Sequence, residues 1–278
     1  MPTHRIAPLP DKASQLPAAN MASMDQPTPE QLPPEFYEQA LTARMLDDFA
    51  TCPRKFLLSF FVTREEGRHF RGGPAVLHQA IRQALLHSYK VGGPAKQPLA
   101  DLLVAFERHW EGHLCADAVE EEQLHDQGLQ MLRDYHAAHS AEQVIVEATD
   151  LRLTGKVGEQ EFVAVADLVL RREPEGLEAY RFVTSRRPLS AKELPKDISA
   201  QLLWLLVKEN LGKARVLYYA LRQGQVREVA LSPDEEEYLR RDLVSRAARV
   251  RREREFQPQK GRYCRWCRSR AKCPLWRR

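Results

Sequence analysis

The sequence predicts one mixed α/β domain in which a central β-meander is flanked by helices. Three observations carry this prediction. Helical apolar spacing dominates the stretch that follows an irregular leader. Short strand-type runs punctuated by Gly and Pro fill the middle, and helix and strand signals alternate again before a cysteine-rich tail. No Gly-rich loop joins a strand to a helix, so the order is not that of a doubly wound dinucleotide fold. With 278 residues, 43% of them apolar, the chain is long enough to bury a sizeable core. No apolar run reaches the ~18 residues of a membrane helix.

Residues 1–35 are rich in Pro, Ala, Gln and Ser and lack the apolar segment of a signal peptide. They read as a disordered leader, and residues 36–278 as the folded domain, its cysteine tail at 257–278. A helix is expected over 43–61, with Leu46, Phe49, Phe56, Leu57 and Phe60 as apolar anchors. It is interrupted at Cys52-Pro53, where Pro53 suits the first turn of the second half. Gly72-Gly73-Pro74 precedes a helix over about 75–89, which Gly92-Gly93-Pro94 closes. Residues 99–140 read as mainly helical, acidic around Glu120, with Cys115 as a buried mid-helix thiol.

The period then changes. Runs at 144–147, 151–154, 162–170 and 177–184 are of strand type, separated by Gly155, Gly158, Pro174 and Gly176. A helix over 198–210 ends at Leu211-Gly212, and strands at 214–222 and 226–231 flank a Gln223-Gly224 turn. Ser232-Pro233-Asp234-Glu235 is an N-cap signature for a last helix to about Glu255.

Net charge is only +4, but residues 240–278 hold thirteen Arg, two Lys and three acids, a local +12 that leaves −8 elsewhere. A block this basic suits a polyanion, nucleic acid foremost. The arginines of the last helix look too one-sided to be paired within it. Arg246, Arg249 and Arg252 are therefore candidate phosphate contacts, and Arg265 and Trp266, beside Tyr263 and Trp276, could meet an unpaired strand by charge and stacking.

The tail carries Cys264, Cys267 and Cys273, two of them in a C-x-x-C, close enough in sequence to converge on one metal centre. In a cytoplasmic setting thiols stay reduced, and such a cluster points to metal before disulfide. Cys52, followed by proline as Cys273 is, is the fourth candidate ligand ahead of Cys115. Four thiolates suit tetrahedral zinc or a 4Fe–4S cubane, and spacing does not separate the two.

Cys52-Pro-Arg-Lys-Phe56, the later Cys264-x-x-Cys267-x-x-x-x-x-Cys273-Pro and the strands between them resemble the PD-(D/E)XK nuclease superfamily, in its RecB/AddB-like iron–sulfur branch, which is related to the CRISPR-associated exonucleases. The resemblance covers most of residues 42–276. It implies a restriction-endonuclease-like core that cuts DNA with a divalent metal. It also implies a 4Fe–4S cluster on Cys52, Cys264, Cys267 and Cys273 that joins the two ends of the domain.

The catalytic motif carries over in part. His78, after Gly72-Gly73, matches the family's metal-binding histidine. Asp167, in Val165-Ala166-Asp167, matches its first acid, with Ala164 where the family has Gly. The acid-x-Lys of the next strand is absent: Phe182 stands for the acid and Thr184 for the lysine. Gln201 matches the start of the family's Gln-x-x-x-Tyr, but Leu205 replaces the Tyr. Mg²⁺-dependent hydrolysis needs carboxylates to hold the ion and a cation to stabilise developing charge. None of the lysines has an acid two residues before it, and Glu178 lies four residues from Phe182, about 13 Å along a strand. On this reading the catalytic centre is degenerate. His78 is either a relic ligand or a packed core histidine, and Asp167 is the structural partner of Arg181, Arg186 or Arg187.

The expected function is a catalytically inactive, DNA-binding protein of nuclease fold. It would act on single strands or ends in repair or recombination, with a helicase or another repair protein as partner and no membrane association. The alternative is an active exonuclease with a rearranged Mg²⁺ site.

Overall fold

The computed structural model describes residues 39–62, 72–174, 176–267 and 269–276, so the expected leader lies outside the described residues. Thr42 caps helix α1 (Ala43–Thr51) by accepting the Met45 N–H at 3.1 Å. The helix stops at Cys52, whose extended backbone (φ −170°, ψ 114°) caps α2 (Pro53–Leu57), its Sγ accepting the Lys55 N–H at 3.4 Å. Pro53 fits there because a first-turn N–H has no helical partner to lose. A π-helical turn, Leu58–Val62, follows.

Three further helices form a layer: α3 (Gly73–Lys90), α4 (Leu99–Arg108) and α5 (Ala118–His139). Gly73 admits the close approach of α5, since a Cβ there would stand 2.5 Å from the Leu124 side chain. Cys115 does not lie within a helix as expected. It sits half-buried in an extended break between the short turn Gly112–Leu114 and α5, which Asp117 caps.

The sheet runs β1 (Ile145–Val157), β2 (Gln160–Arg172), β3 (Gly176–Val183), β4 (Arg215–Ala220) and β5 (Gln225–Val229), in that spatial order. All neighbours are antiparallel except β3 and β4. That parallel pair requires a crossover, which α6 (Ile198–Leu211) supplies. The runs expected at 144–147 and 151–154 are one strand. Gly155 is not a turn but lies inside it, opposite Phe162. A register shift between Val146 and Ala148, and Asp150 at φ 54°, break the alternation, which is why one strand reads as two.

Both faces of the sheet are covered, so its strands read as apolar runs. On one face α1, α2, α6 and α7 (Pro233–Arg252) pack on Phe162, Ala166, Ala179 and Val216. On the other, α3, α4 and α5 pack on Leu168, Leu170, Phe182 and Leu217. Helix α7 begins at the expected Ser232 capping box and buries Leu239, Leu243, Ala247 and Val250, one stripe at helical spacing. Beyond it Phe256 (φ 49°) is fully buried and stacks on Phe56 at 6.2 Å. This contact turns the tail back onto α2 and so towards Cys52.

Candidate functional site

Asp167 on β2 is 0% exposed. Its Oδ1 accepts from Arg82 Nε of α3 at 2.6 Å and from Arg181 Nη1 of β3 at 2.7 Å, while Oδ2 accepts the Phe182 N–H at 2.8 Å. Arg82 also pairs with Asp150. The carboxylate is thus the counter-ion of two guanidinium groups, the pairing that makes its burial tolerable. Arg181 is the expected partner. Arg186 and Arg187 are exposed and do not reach Asp167. Arg82 is the residue that sequence reasoning missed. A signal existed: it interrupts the apolar face of α3 and follows His78 by four residues, on the same side of the helix.

His78 lies with its Nδ1 3.4 Å from Thr184 Oγ1. Burial, and then the nearby Arg181 charge, hold its pKa below the ordinary value, so the ring is neutral near pH 7. Phe182 is 1% exposed and meets Tyr135 edge-on at 6.0 Å, within the core beneath α5. Phe182 is therefore a core ring and Thr184 a buried hydroxyl. Gln201 is not brought to this place; its Nε2 donates to the Pro195 carbonyl at 2.9 Å.

His78, Phe182 and Thr184 line a cavity of about 600 Å³. A second, of about 360 Å³, shares Arg181, Ser199 and Tyr218 with it, so a groove crosses the end of the sheet. Among the described residues no group of three or more His, Cys, Asp or Glu side chains is placed to hold a metal ion, here or at the tail cysteines.

A separate cavity of about 40 Å³ is lined by Cys52, Cys264, Cys267 and Cys273 together. Cys115 is not among its lining residues. Backbone N–H groups point at two of the sulfurs, Gln259 N–H to Cys52 Sγ at 3.3 Å and Gly261 N–H to Cys264 Sγ at 3.4 Å. Burial raises the Cys267 thiol pKa; the Ser269 backbone and Lys55 oppose this, while Cys52 and Cys273 are close enough to add to it.

The last helix corrects an expectation. Its arginines are not too one-sided to pair: Arg240 meets Glu209 at 2.8 Å and Glu236 at 3.0 Å, and Arg246 meets Asp242 at 2.7 Å. Acids placed four residues earlier on the helix neutralise them, and two of these, Glu236 and Glu237, precede the basic block. Arg249 and Arg252 are exposed with no ion pair among the described residues. Trp266 is 69% exposed, with the Arg265 guanidinium 5.4 Å from its ring centre, so it is not packed away around the cysteines.

The family model of the PD-(D/E)XK nuclease superfamily matches residues 40–274. Among solved structures, one from Eubacterium rectale, assigned but not demonstrated to be an exonuclease, is 12% identical with a TM-score of 0.48. The match covers 88% of this chain and 93% of that one. No curated protein matches. The family match spans α1, the whole sheet, α7 and all four tail-cavity cysteines, and on it the chain belongs to the PD-(D/E)XK nuclease superfamily.

Proposed function

We propose that this chain is a catalytically inactive DNA-binding member of its superfamily. It would hold a structural 4Fe–4S cluster and act on single strands or ends in cytoplasmic repair or recombination, beside a helicase or other repair partner. The observation that carries the inactive reading is the engagement of Asp167. Both of its oxygens are committed, to Arg82, Arg181 and the Phe182 N–H, while Phe182 and Thr184 offer no second carboxylate and no lysine. With both oxygens shared by these donors, the carboxylate has little left to offer Mg²⁺.

The candidate ligands of that cluster are the four cysteines that line one cavity of about 40 Å³. Peptide N–H groups that point at two of the sulfurs would stabilise their thiolate forms. When bound, the cluster supplies four thiolate bonds that tie α2 to the tail. Phe56 and Phe256 already hold those segments together. The DNA surface would be formed by exposed Arg249 and Arg252, by Arg265 and Trp266, and in part by Arg246, whose pairing with Asp242 weakens its share.

The test is labelled single-stranded DNA incubated with anaerobically purified protein and Mg²⁺ or Mn²⁺. Binding without degradation, in a protein carrying about four irons, is expected. Degradation that Asp167→Ala abolishes would instead establish the active exonuclease, and one zinc with no iron would remove the cluster.

A further inference from the structure

The cavity lined by His78, Phe182 and Thr184 is rich in cationic side chains. Arg82 and Arg181 are balanced by Asp167 and Asp150. Arg186 and Arg222 also line the cavity, and no acid pairs with either among the described residues. Arg222 Nη1 donates to Gln127 Oε1 at 2.6 Å and Nε to the Thr184 carbonyl at 3.4 Å, two neutral acceptors that fix the guanidinium without neutralising it. Burial, and then the charge of Arg186, hold the Arg222 pKa below its ordinary value. Glu120, the acid of the lining, accepts the Ala116 N–H at 2.7 Å and is outnumbered by the arginines there.

The other groups fit the same ligand. Ser185 and Ser199 are exposed hydroxyls at the cavity, able to donate to an oxyanion. Leu77, Leu124 and Phe182 are core side chains behind this lining, buried and without an open face for a ligand. A space of about 600 Å³ falls within the ~300–1,000 Å³ of small-ligand sites. Guanidinium pairs bind phosphate through parallel N–H···O bonds.

We infer that this cavity binds a nucleotide phosphate without metal, Arg186 and Arg222 holding the phosphate. This deepens the reading of an inactive DNA-binding protein and rests on it, since a bound metal would make these charges redundant. The cavity would seat one terminal or flipped nucleotide of a strand whose backbone runs on elsewhere.

The experiment uses full-length protein in EDTA, titrated with thymidine 5′-monophosphate and with thymidine, and followed by intrinsic fluorescence and calorimetry. The expected result is saturable binding of the monophosphate and none of thymidine, weakened roughly tenfold by Arg186→Ala, the loss of one charge-assisted contact. Arg222→Lys, which keeps the charge, should weaken it less than Arg222→Gln. No binding of the monophosphate overturns the inference, as does binding only after Mg²⁺ is added. Binding that survives both cavity substitutions but falls with Arg249→Ala overturns it too. A parallel titration with a single-stranded oligonucleotide tests the underlying reading separately. Oligonucleotide binding without monophosphate binding sinks the cavity site and leaves DNA binding standing. Monophosphate binding without oligonucleotide binding does the reverse.

Discussion

Replacing Asp167 by Asn separates a structural carboxylate from a metal ligand. The Asp167 side chain is 0% exposed and carries the charge that Arg82, 11% exposed, and Arg181, 34% exposed, share. Removing one member of a buried ion pair costs about 3–5 kcal/mol, because the partner keeps its desolvation without its counter-ion. Two features pull the expected cost to the lower end. Arg82 retains Asp150, and Arg181 is exposed enough to regain water. The amide also places a donor against guanidinium donors, so about 3 kcal/mol is expected. Urea unfolding followed by far-UV circular dichroism measures it. With a slope of a few kcal/mol per molar, the midpoint should fall by about 1 M. A loss below about 1 kcal/mol would refute the counter-ion argument. A gain in stability together with loss of Mg²⁺-dependent DNA degradation would show that Asp167 is a metal ligand whose charge is unwelcome without the ion.

His78 links stability to pH. Its folded pKa lies below the ordinary ~6.5, so as pH falls through 6.5 the unfolded chain takes up the proton first and stability declines until the folded pKa is reached; His78→Gln should flatten that window in unfolding curves at pH 5–7.5. At the tail, Cys52→Ser should release iron and lower the melting temperature, whereas Cys115→Ser, outside the cysteine cavity, should match the parent in both; equal iron in the two variants would reject Cys52 as a ligand. Ser232→Ala removes the side-chain half of a capping box at α7 and should cost about 1 kcal/mol in urea, with a change below 0.3 kcal/mol arguing that the cap contributes nothing.

Much of this molecule was legible in local sequence. The break at Cys52-Pro53, the Ser232 cap and the helix after Gly72-Gly73-Pro74 are decided by neighbours within one turn, and each lies where the residues predict. The double reading of β1 failed for a physical reason: a bulge and a left-handed Asp150 disturb the two-residue period that marks a strand. The arginines of α7 were misjudged because two of their partners, Glu236 and Glu237, lie outside the basic block that draws the eye.

The sequence by itself determined the chemical inventory: the cysteines and their order, one acid in an apolar strand, a phenylalanine and a threonine in the strand run that follows. These are statements of residue type, which no fold can alter. Only the tertiary structure decided what the inventory does. It chose Arg82 over Arg186 and Arg187 as the second partner of Asp167. It carried the tail to Cys52 through the stack of Phe256 on Phe56, and it set Arg186 and Arg222 around one cavity. Those pairings join residues tens to hundreds of positions apart, and their energies depend on burial and distance, quantities that exist only once the chain is folded.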